Sequence, residues 1–595
     1  MFPELNSSLN ESYNVSELAG SLFLTQLLLT AATTWATDGR NRSSNTIRSN
    51  YDYIVVGGGA AGSVIAARLA ENPKISVLLL EAGGSTSDES DMPALYQGLV
   101  ARPTSLIRDI WTEPQPEVCR SHPQRRCNIK LGNIIGGGAS VNSLIWDSQH
   151  FQRFSRWQNG HGLNSWSLES IMPYVNRVEN RLERPRRVAS MVFGGSGGKI
   201  KLTTENWTPL EVINRQFVKA GRELGYPSLM YQPVLRNVHH GRRMGPDHAY
   251  IRPIESDKSK TLHIVMLASV TKVLFDRKRA IGVQFVRDGR YYEINADREV
   301  ILSAGALVTP QLLMLSGIGP ANHLRNHSIP IVYDSPEVGR NLHDVLWCNL
   351  NFTTNYTFPA DGVIDQKAVE KWRLNGTGVL TGSMMGSGTF LNYKTSEWFF
   401  DIKSLVILAY DTIDAQRNQT KNFTWQAVTF QTTAQSRGHV QLRSTDPSDD
   451  PIVDPKYMTH EVDRENVVQS LLDVLKLMST KTFRSYGVKL AKPTDPEVKH
   501  CEAHIFWPRE YMDCISRHVC QPSYVMAGTA RMGTDDRSVV DERLRVRGVT
   551  GLRVADNSIV PRDDLMSSMA IAMIIGEKAA DMIAEDNLDY THKPL

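Results

Sequence analysis

Cysteine is scarce in this chain: six residues in 595, none of them in Cys-x-x-Cys spacing. That distribution argues against a structural zinc site and permits two or three disulfides. An excess of charge of one sign is also missing. Lys and Arg number 66 against 63 Asp and Glu, a formal net charge of +3 that gives no basis for a nucleic-acid partner. The local cluster Arg181, Arg184, Arg186 and Arg187 reads as a solvated loop. No repeat, heptad array or low-complexity tract occurs, and neither does a His-Glu-x-x-His pair or a Gly-x4-Gly-Lys phosphate loop. Gly194-x-Ser196-x-Gly198 has the letters of a hydrolase nucleophile elbow. The strand-like Lys199–Leu202 follows it where a helix is required, so it reads as a glycine loop. No apolar run is pure enough for a membrane span: Leu18–Ala36 is broken by Ser21, Thr25, Gln26 and Thr30.

Residues 1–50 form a leader and polar linker. Thr34-Trp35-Ala36 suits signal cleavage, yet Glu4, Glu11 and Glu17 stand where a basic segment is expected, so signal sequence, anchor and buried helix all stay open. Asn6, Asn10, Asn14, Asn41, Asn206, Asn326, Asn351, Asn355, Asn375, Asn418 and Asn422 each begin Asn-x-Ser/Thr. With disulfides expected at Cys119–Cys127 and Cys501–Cys514, these sequons favour the secretory pathway or the extracellular space over the cytosol.

What the chain does contain is a globular composition, 41% apolar and 22% charged, at a length that predicts two domains. Its most informative stretch is residues 51–81. Tyr53–Val56 reads as a buried parallel strand, Gly57-x-Gly59-x-x-Gly62 as a tight turn, Val64–Glu71 as a helix and Val77–Leu80 as a second strand. Such a turn aims a helix N-terminus at a pyrophosphate, and Glu81 stands where a carboxylate accepts hydrogen bonds from ribose hydroxyls. The complete unit predicts an adenine dinucleotide. Further strands are expected at Thr261–Leu267, Val273–Phe275, Ala280–Val286, Tyr291–Ile294 and Glu299–Leu302, and helices at Val462–Ser479 and Met569–Ile583. Alternating runs at Ser404–Ala409, Thr424–Thr432 and Gly438–Arg443 predict an antiparallel sheet in a second domain.

Three later segments carry a resemblance. Gly136-Gly137-Gly138-Ala139-Ser140-Val141-Asn142 resembles the Gly-Gly-Ser-Ser-x-x-Asn segment of the glucose-methanol-choline (GMC) oxidoreductases. Gly305–Pro320 is similar to that family's second signature, and Gly528–Gly533 with Arg553–Pro561 to its C-terminal blocks. The resemblance runs from about residue 51 to 585. The leader, sequons and cysteines look like the insect branch, which includes glucose dehydrogenases and ecdysone oxidases. It implies an α/β fold: a GMC-type FAD-binding domain on a Rossmann-like unit, with a substrate-binding domain of antiparallel sheet and helices. On this basis residues 51–350 form the N-terminal region, 351–435 a substrate-domain segment and 436–585 the C-terminal region.

The resemblance also implies FAD and the oxidation of an alcohol, sugar or sterol CH–OH group. Gly57, Gly59, Gly62 and Glu81 match ADP-binding positions, Val270 a backbone contact to adenine, and Asn142 a residue beside the flavin. Asp556 matches the acid near the pyrophosphate and ribityl chain. Ala61, Gly137, Ser143, Leu144 and Asn557 fall among the cofactor-binding positions as well. The histidine through which some members bind flavin covalently is absent, which implies non-covalent FAD. The family's catalytic histidine lies three residues before the Gly-Thr-x-x-Met-Gly block, where this chain has Val525. Its His/Asn partner falls on Met569. Neither side chain accepts a proton in this chemistry. Departures continue at Gly339–Val345, which lacks the family's final His, at Leu131-Gly132-Asn133 and at Trp146-Asp147-Ser148-Gln149. His518, His343 and His504 are substitute bases by residue type only.

Two functions follow from this pattern. One is a FAD-dependent oxidoreductase on a small-molecule donor, with the apolar Val525 and Met569 suiting a hydrophobic alcohol such as a sterol. The other is a secreted FAD-binding pseudoenzyme that carries a ligand or serves as a structural or interaction partner. The electron acceptor has no sequence signal.

Overall fold

The computed structural model describes residues 47–588 apart from 102, 147–153, 183–194, 205–207, 226–230, 233–234, 257–260, 356–365, 383–384, 393–401, 411–422, 432–433, 494 and 562–567. The leader, Asn206, Asn418, Asn422, Arg184, Arg186, Arg187, Gly194 and Asp147–Gln149 lie outside the described residues.

Strand β1 (Asn50–Val56) leads through the glycine turn into helix α1 (Ala60–Leu69), which begins a turn earlier than its apolar spacing suggested. β2 (Val77–Leu80) and β3 (Leu262–Val265) extend the sheet on one side of β1 in parallel register. On the other side lie β6 (Arg290–Leu302), then β5 (Arg279–Arg287) and β4 (Ser269–Asp276). Every residue of β2 and all of Tyr53–Val56 are buried, as a central parallel strand covered on both faces requires.

β6 is one strand where the sequence suggested two. Its first half pairs antiparallel with β5 and its second half parallel with β1, with Asn295 facing a partner on each side. Asp297 and Arg298 do not break it, because they lie at the sheet's rim. Asn50 donates to Asp297 there, and Arg298 pairs with Asp52 at 3.1 Å. Leu552–Val554 adds a parallel strand beside β6, and helix α2 (Gly305–Leu315) leaves the β6 end.

The second sheet is antiparallel, built on β7 (Leu346–Thr354), β8 (Met385–Asn392), β9 (Ile402–Tyr410) and β10 (Phe423–Gln431) in the order β7-β10-β9-β8. Leu350 and Phe352 of β7 pack with Val467, Leu471 and Val474 of helix α3 (Glu461–Met478) and with Met512 and Ile515 of helix α4 (Pro508–Val519). The run Gly438–Arg443 does not join this sheet, contrary to expectation. His439–Gln441 pairs instead with Ile452–Asp454, held by Val440 N–H donating to the Gly339 carbonyl at 2.7 Å.

The last helix, α5 (Ser568–Asp586), returns to the first sheet and packs on α1. Disulfides form at Cys119–Cys127 and Cys501–Cys514, as expected. The third, Cys348–Cys520, spans 172 residues and ties β7 to its neighbouring strand Cys520–Pro522. No described helix is long and apolar enough to cross a membrane.

Candidate active site

A cavity of about 3160 Å³ runs from the glycine turn to the face of the second sheet. At one end lie Gly57, Gly59, Ala60 and Ala61. A Cβ on Gly57, whose φ is +97°, would come within 2.6 Å of the Ser303 carbonyl oxygen, and one on Gly62 within 2.0 Å of that of Gly57. These two glycines are therefore steric requirements of the turn. A Cβ on Gly59 would meet only Ser303 O, at 3.9 Å, so its open side is the cavity.

Gly59 is the N-cap of α1 and supplies no capping side chain, and no acid stands in the first turn. The helix thus presents unsatisfied N–H groups and its positive dipole end to the cavity, the setting an anionic pyrophosphate fits. The second glycine segment abuts the first: Gly136 N–H donates to Gly58 O at 2.7 Å, and a Cβ on Gly137 would lie 3.0 Å from Gly59 Cα.

Glu81, at the end of β2, accepts from Gly58 N–H and Gly83 N–H, both at 2.7 Å. Burial pushes its carboxyl up to about 7, with those backbone bonds working against the rise. Val270 on β4 lines the same end. Asp556 accepts from Gly305 N–H at 2.8 Å, Thr309 Oγ1 at 2.7 Å and Ser558 N–H at 2.7 Å. It thereby fixes the N-terminus of α2 at the cavity edge, beside Asn557.

Farther along, Asn142 and Ser143 meet α5 and the 523–526 segment. Asn142 Oδ1 accepts from Leu144 N–H at 3.0 Å and from Arg243 Nη1 at 2.7 Å, and its Nδ2 points at Met569 Sδ, 3.6 Å away. Val525, Met526, Met569 and Ala572 line this part of the cavity. Of the sequence-predicted site residues, Gly57, Gly59, Ala61, Glu81, Gly137, Asn142, Ser143, Val270, Val525, Asp556, Asn557 and Met569 share the one cavity. Gly62 and Leu144 stand just behind its wall, Leu144 fully buried at φ +64°.

The substitute histidines are placed elsewhere. His343 is buried with Nδ1 2.9 Å from Asn341 O, its ring filling the space beside Gly528, and it does not line the cavity. His504 is exposed on the short helix Lys499–His504. His518 does line the wall, but its Nδ1 is 2.9 Å from Ser121 Oγ. Burial, with the neighbouring His500, holds that imidazole below its ordinary value.

Two supporting residues had no sequence signal. Arg243 is buried, donating to Ser90 O, Asn142 Oδ1 and Asn142 O, and burial lowers it to about 10. Asp344 accepts from Val525 N–H at 2.8 Å and from Tyr457 Oη at 2.6 Å, and burial raises it to about 6. Only contacts between distant segments reveal either one. Asp344 does fall in the Gly339–Val345 block, where composition points at the histidine instead.

The fold and cavity define a two-domain flavoprotein oxidoreductase: a dinucleotide-binding α/β domain and an antiparallel-sheet substrate domain. The chain belongs to the GMC oxidoreductase family, whose N-terminal model matches residues 51–346 and whose C-terminal model matches 434–576. It is 30% identical over 573 residues to a glucose dehydrogenase [FAD, quinone] of Drosophila melanogaster, covering 92% of this chain and 89% of that one. To an ecdysone oxidase of Spodoptera littoralis it is 31% identical over 580 residues, covering 91% and 92%. Among solved structures, a formate oxidase superposes with a TM-score of 0.77 at 24% identity, covering 91% of this chain and 100% of that one. The cofactor is FAD, which the uncapped α1 N-terminus and glycine turn fit.

Proposed function

We propose that this protein oxidises a hydrophobic alcohol, such as a sterol, with non-covalently bound FAD and with apolar Val525 and Met569, among the described residues, where a proton-accepting pair would face the reacting hydroxyl. The observation that carries the reading is the pairing, in one cavity, of a complete cofactor cradle with an apolar reaction floor at Val525 and Met569. When bound, FAD supplies a hydride acceptor. Gly57, Gly59 and Ala61 would hold its pyrophosphate, with Gly62 closing the turn behind them, Glu81 its ribose, Val270 its adenine, and Asp556 with Asn557 its ribityl chain. Gly137, Asn142 and Ser143 would flank the flavin, with Leu144 packed behind them. Val525 and Met569 present carbon and sulfur to the donor and exclude water from its apolar part. The hydroxyl proton then leaves to solvent, at a cost in rate.

The domain division at 51–350, 351–435 and 436–585 fits a cavity walled by both sheets. Three disulfides and exposed sequon asparagines at Asn326, Asn351, Asn355 and Asn375 support passage through the secretory pathway. The test is turnover by the purified flavoprotein across sterols, long-chain alcohols and sugars. Oxidation of apolar alcohols above sugars is expected, and a preference for glucose-like donors would overturn the substrate class.

A second reading is favoured by the bonding of Met569, whose sulfur faces the amides of both Asn142 and Asn237. That is a settled contact with no proton to move, as a FAD-binding ligand carrier would have. Failure of every alcohol to reduce the flavin selects it.

Glu81 adds a pH dependence. Ribose hydroxyls donate to its carboxylate, so cofactor binding favours the ionised form and releases a proton when Glu81 starts protonated. With the free carboxyl at about 7, FAD affinity is expected to weaken by up to about tenfold per pH unit below that value. Without cofactor the sign is opposite. The raised carboxyl favours the fold below its ordinary 4.5, a contribution lost as pH rises through about 7. Reconstitution of the apoprotein at pH 5.5 and 8 measures the first effect, and Glu81→Gln should flatten it.

A further inference from the structure

One cluster of metal-binding groups stands apart from the cofactor cradle. His500 and Cys501 lie on the short helix Lys499–His504, while Cys514 and His518 lie one turn apart on the same face of α4. His500 Nε2 is 3.4 Å from Cys514 Sγ and 3.7 Å from Cys501 Sγ. Ligand atoms of His500, Cys501 and His518 all lie within 4.8 Å of one another, and the two imidazole centroids are 5.3 Å apart.

The outer partners are also in place. His500 Nδ1 is 2.9 Å from the Glu497 carbonyl oxygen, which accepts from N–H and so leaves the lone pair on Nε2, the atom facing the sulfurs. His518 Nδ1 is 2.9 Å from Ser121 Oγ, and with that hydroxyl accepting from Nδ1–H the Nε2 lone pair is free. Metal-ligating histidines are oriented in this way, with the second ring nitrogen held by an outer hydrogen bond. Two sulfurs and two imidazoles make a soft donor set for zinc, with Cys514 Sγ joining the other three donors through its approach to His500 Nε2. Bond lengths of about 2.0–2.3 Å place such donors roughly 3.3–3.8 Å apart, close to the distances from His500 to the two sulfurs.

We propose that the Cys501–Cys514 disulfide is the oxidised state of a zinc site formed by His500, Cys501, Cys514 and His518. A small dithiol supplies two electrons and two protons. The S–S bond breaks, the dithiol leaves as its own disulfide, and two thiols remain. Zinc then displaces both thiol protons and bonds the two sulfurs and the two Nε2 atoms. This bridge is the one open to attack: Cys119, Cys127, Cys348, Cys501 and Cys520 are at most 1% exposed, whereas Cys514 is partly accessible. Zinc would tie together the same two helices that the disulfide ties, so the exchange preserves the fold.

The test uses the FAD-loaded protein, reduced briefly with dithiothreitol, desalted without air and exposed to Zn²⁺ or Co²⁺. One metal ion per chain should survive a second desalting, and Co²⁺ should give thiolate charge-transfer and intense tetrahedral bands. The air-oxidised protein should retain none. His500→Gln and His518→Gln leave the disulfide and core intact, and each should weaken Zn²⁺ retention at least tenfold in the reduced protein. Ser121→Ala should weaken it by about 10–100-fold. An octahedral Co²⁺ spectrum, no retained metal, or retention undiminished from the parent in both histidine variants would overturn the proposal. The flavin spectrum, read on every sample, reports folding independently.

Discussion

Replacing Val525 by His together with Met569 by Asn is expected to raise alcohol turnover by about 10²–10⁴-fold, the usual worth of a positioned general base. Both side chains line the cavity, and the scaffold around them is intact. Val525 N–H is held by Asp344, itself fixed by Tyr457, so the backbone that would carry the new imidazole is already anchored. Asn142 Nδ2 faces Met569 Sδ at 3.6 Å, a distance an introduced amide can bridge with a true hydrogen bond. Steady-state kcat and the flavin reduction rate read the gain directly. An unchanged rate in a folded, FAD-loaded double variant would mean that proton transfer does not limit this protein.

The largest loss of stability is expected at Glu577. Its fully buried carboxylate accepts from Arg68 Nε and Nη2, each at 2.8 Å, and from Tyr250 Oη at 2.7 Å. Arg68 is raised above its ordinary value by Glu577, against the opposing effect of burial. Glu577→Ala leaves a buried hydroxyl without its acceptor and a largely buried guanidinium with only its Glu71 contact, at 2.8 Å, among the described carboxylates paired to it here, a change that costs about 3 kcal/mol, the low end for a broken buried pair. Because the bonds join α5 to α1, the cofactor cradle loosens with them. Denaturant unfolding should show that loss, with FAD released earlier than from the parent. A cost below about 1 kcal/mol would show that solvent reaches Arg68 more freely than its 20% side-chain exposure implies.

The cofactor end of the site was legible because its requirements are local. A strand, a glycine turn, a helix and a terminal acid occupy thirty residues, and steric limits at Gly57 and Gly62 dictate the letters. The reaction end assembles from residues hundreds of positions apart. Family blocks alone located Val525 and Met569, and the contact of Met569 with Asn142 appears only in three dimensions. Arg243 and Asp344 carry no sequence signal because burial, not spacing, gives them their roles. Cys348–Cys520 was similarly hidden, being a partnership of strands 172 residues apart. β6 reads as two strands because polar Asn295, Asp297 and Arg298 interrupt its apolar run, yet they continue the strand through rim contacts.

The most direct measurement is the pH dependence of anaerobic flavin reduction by a hydrophobic alcohol in a stopped-flow instrument. With hydroxide taking the proton in place of a side chain at 525 and 569, the rate should climb about tenfold per pH unit from 6 to 9, with no plateau near the ordinary imidazole pKa of about 6.5. The Val525→His, Met569→Asn variant should gain such a plateau. A plateau near that value in the unmodified protein would reveal a side-chain base and contradict the apolar reaction floor. Complete absence of reduction by every alcohol would contradict the oxidoreductase itself.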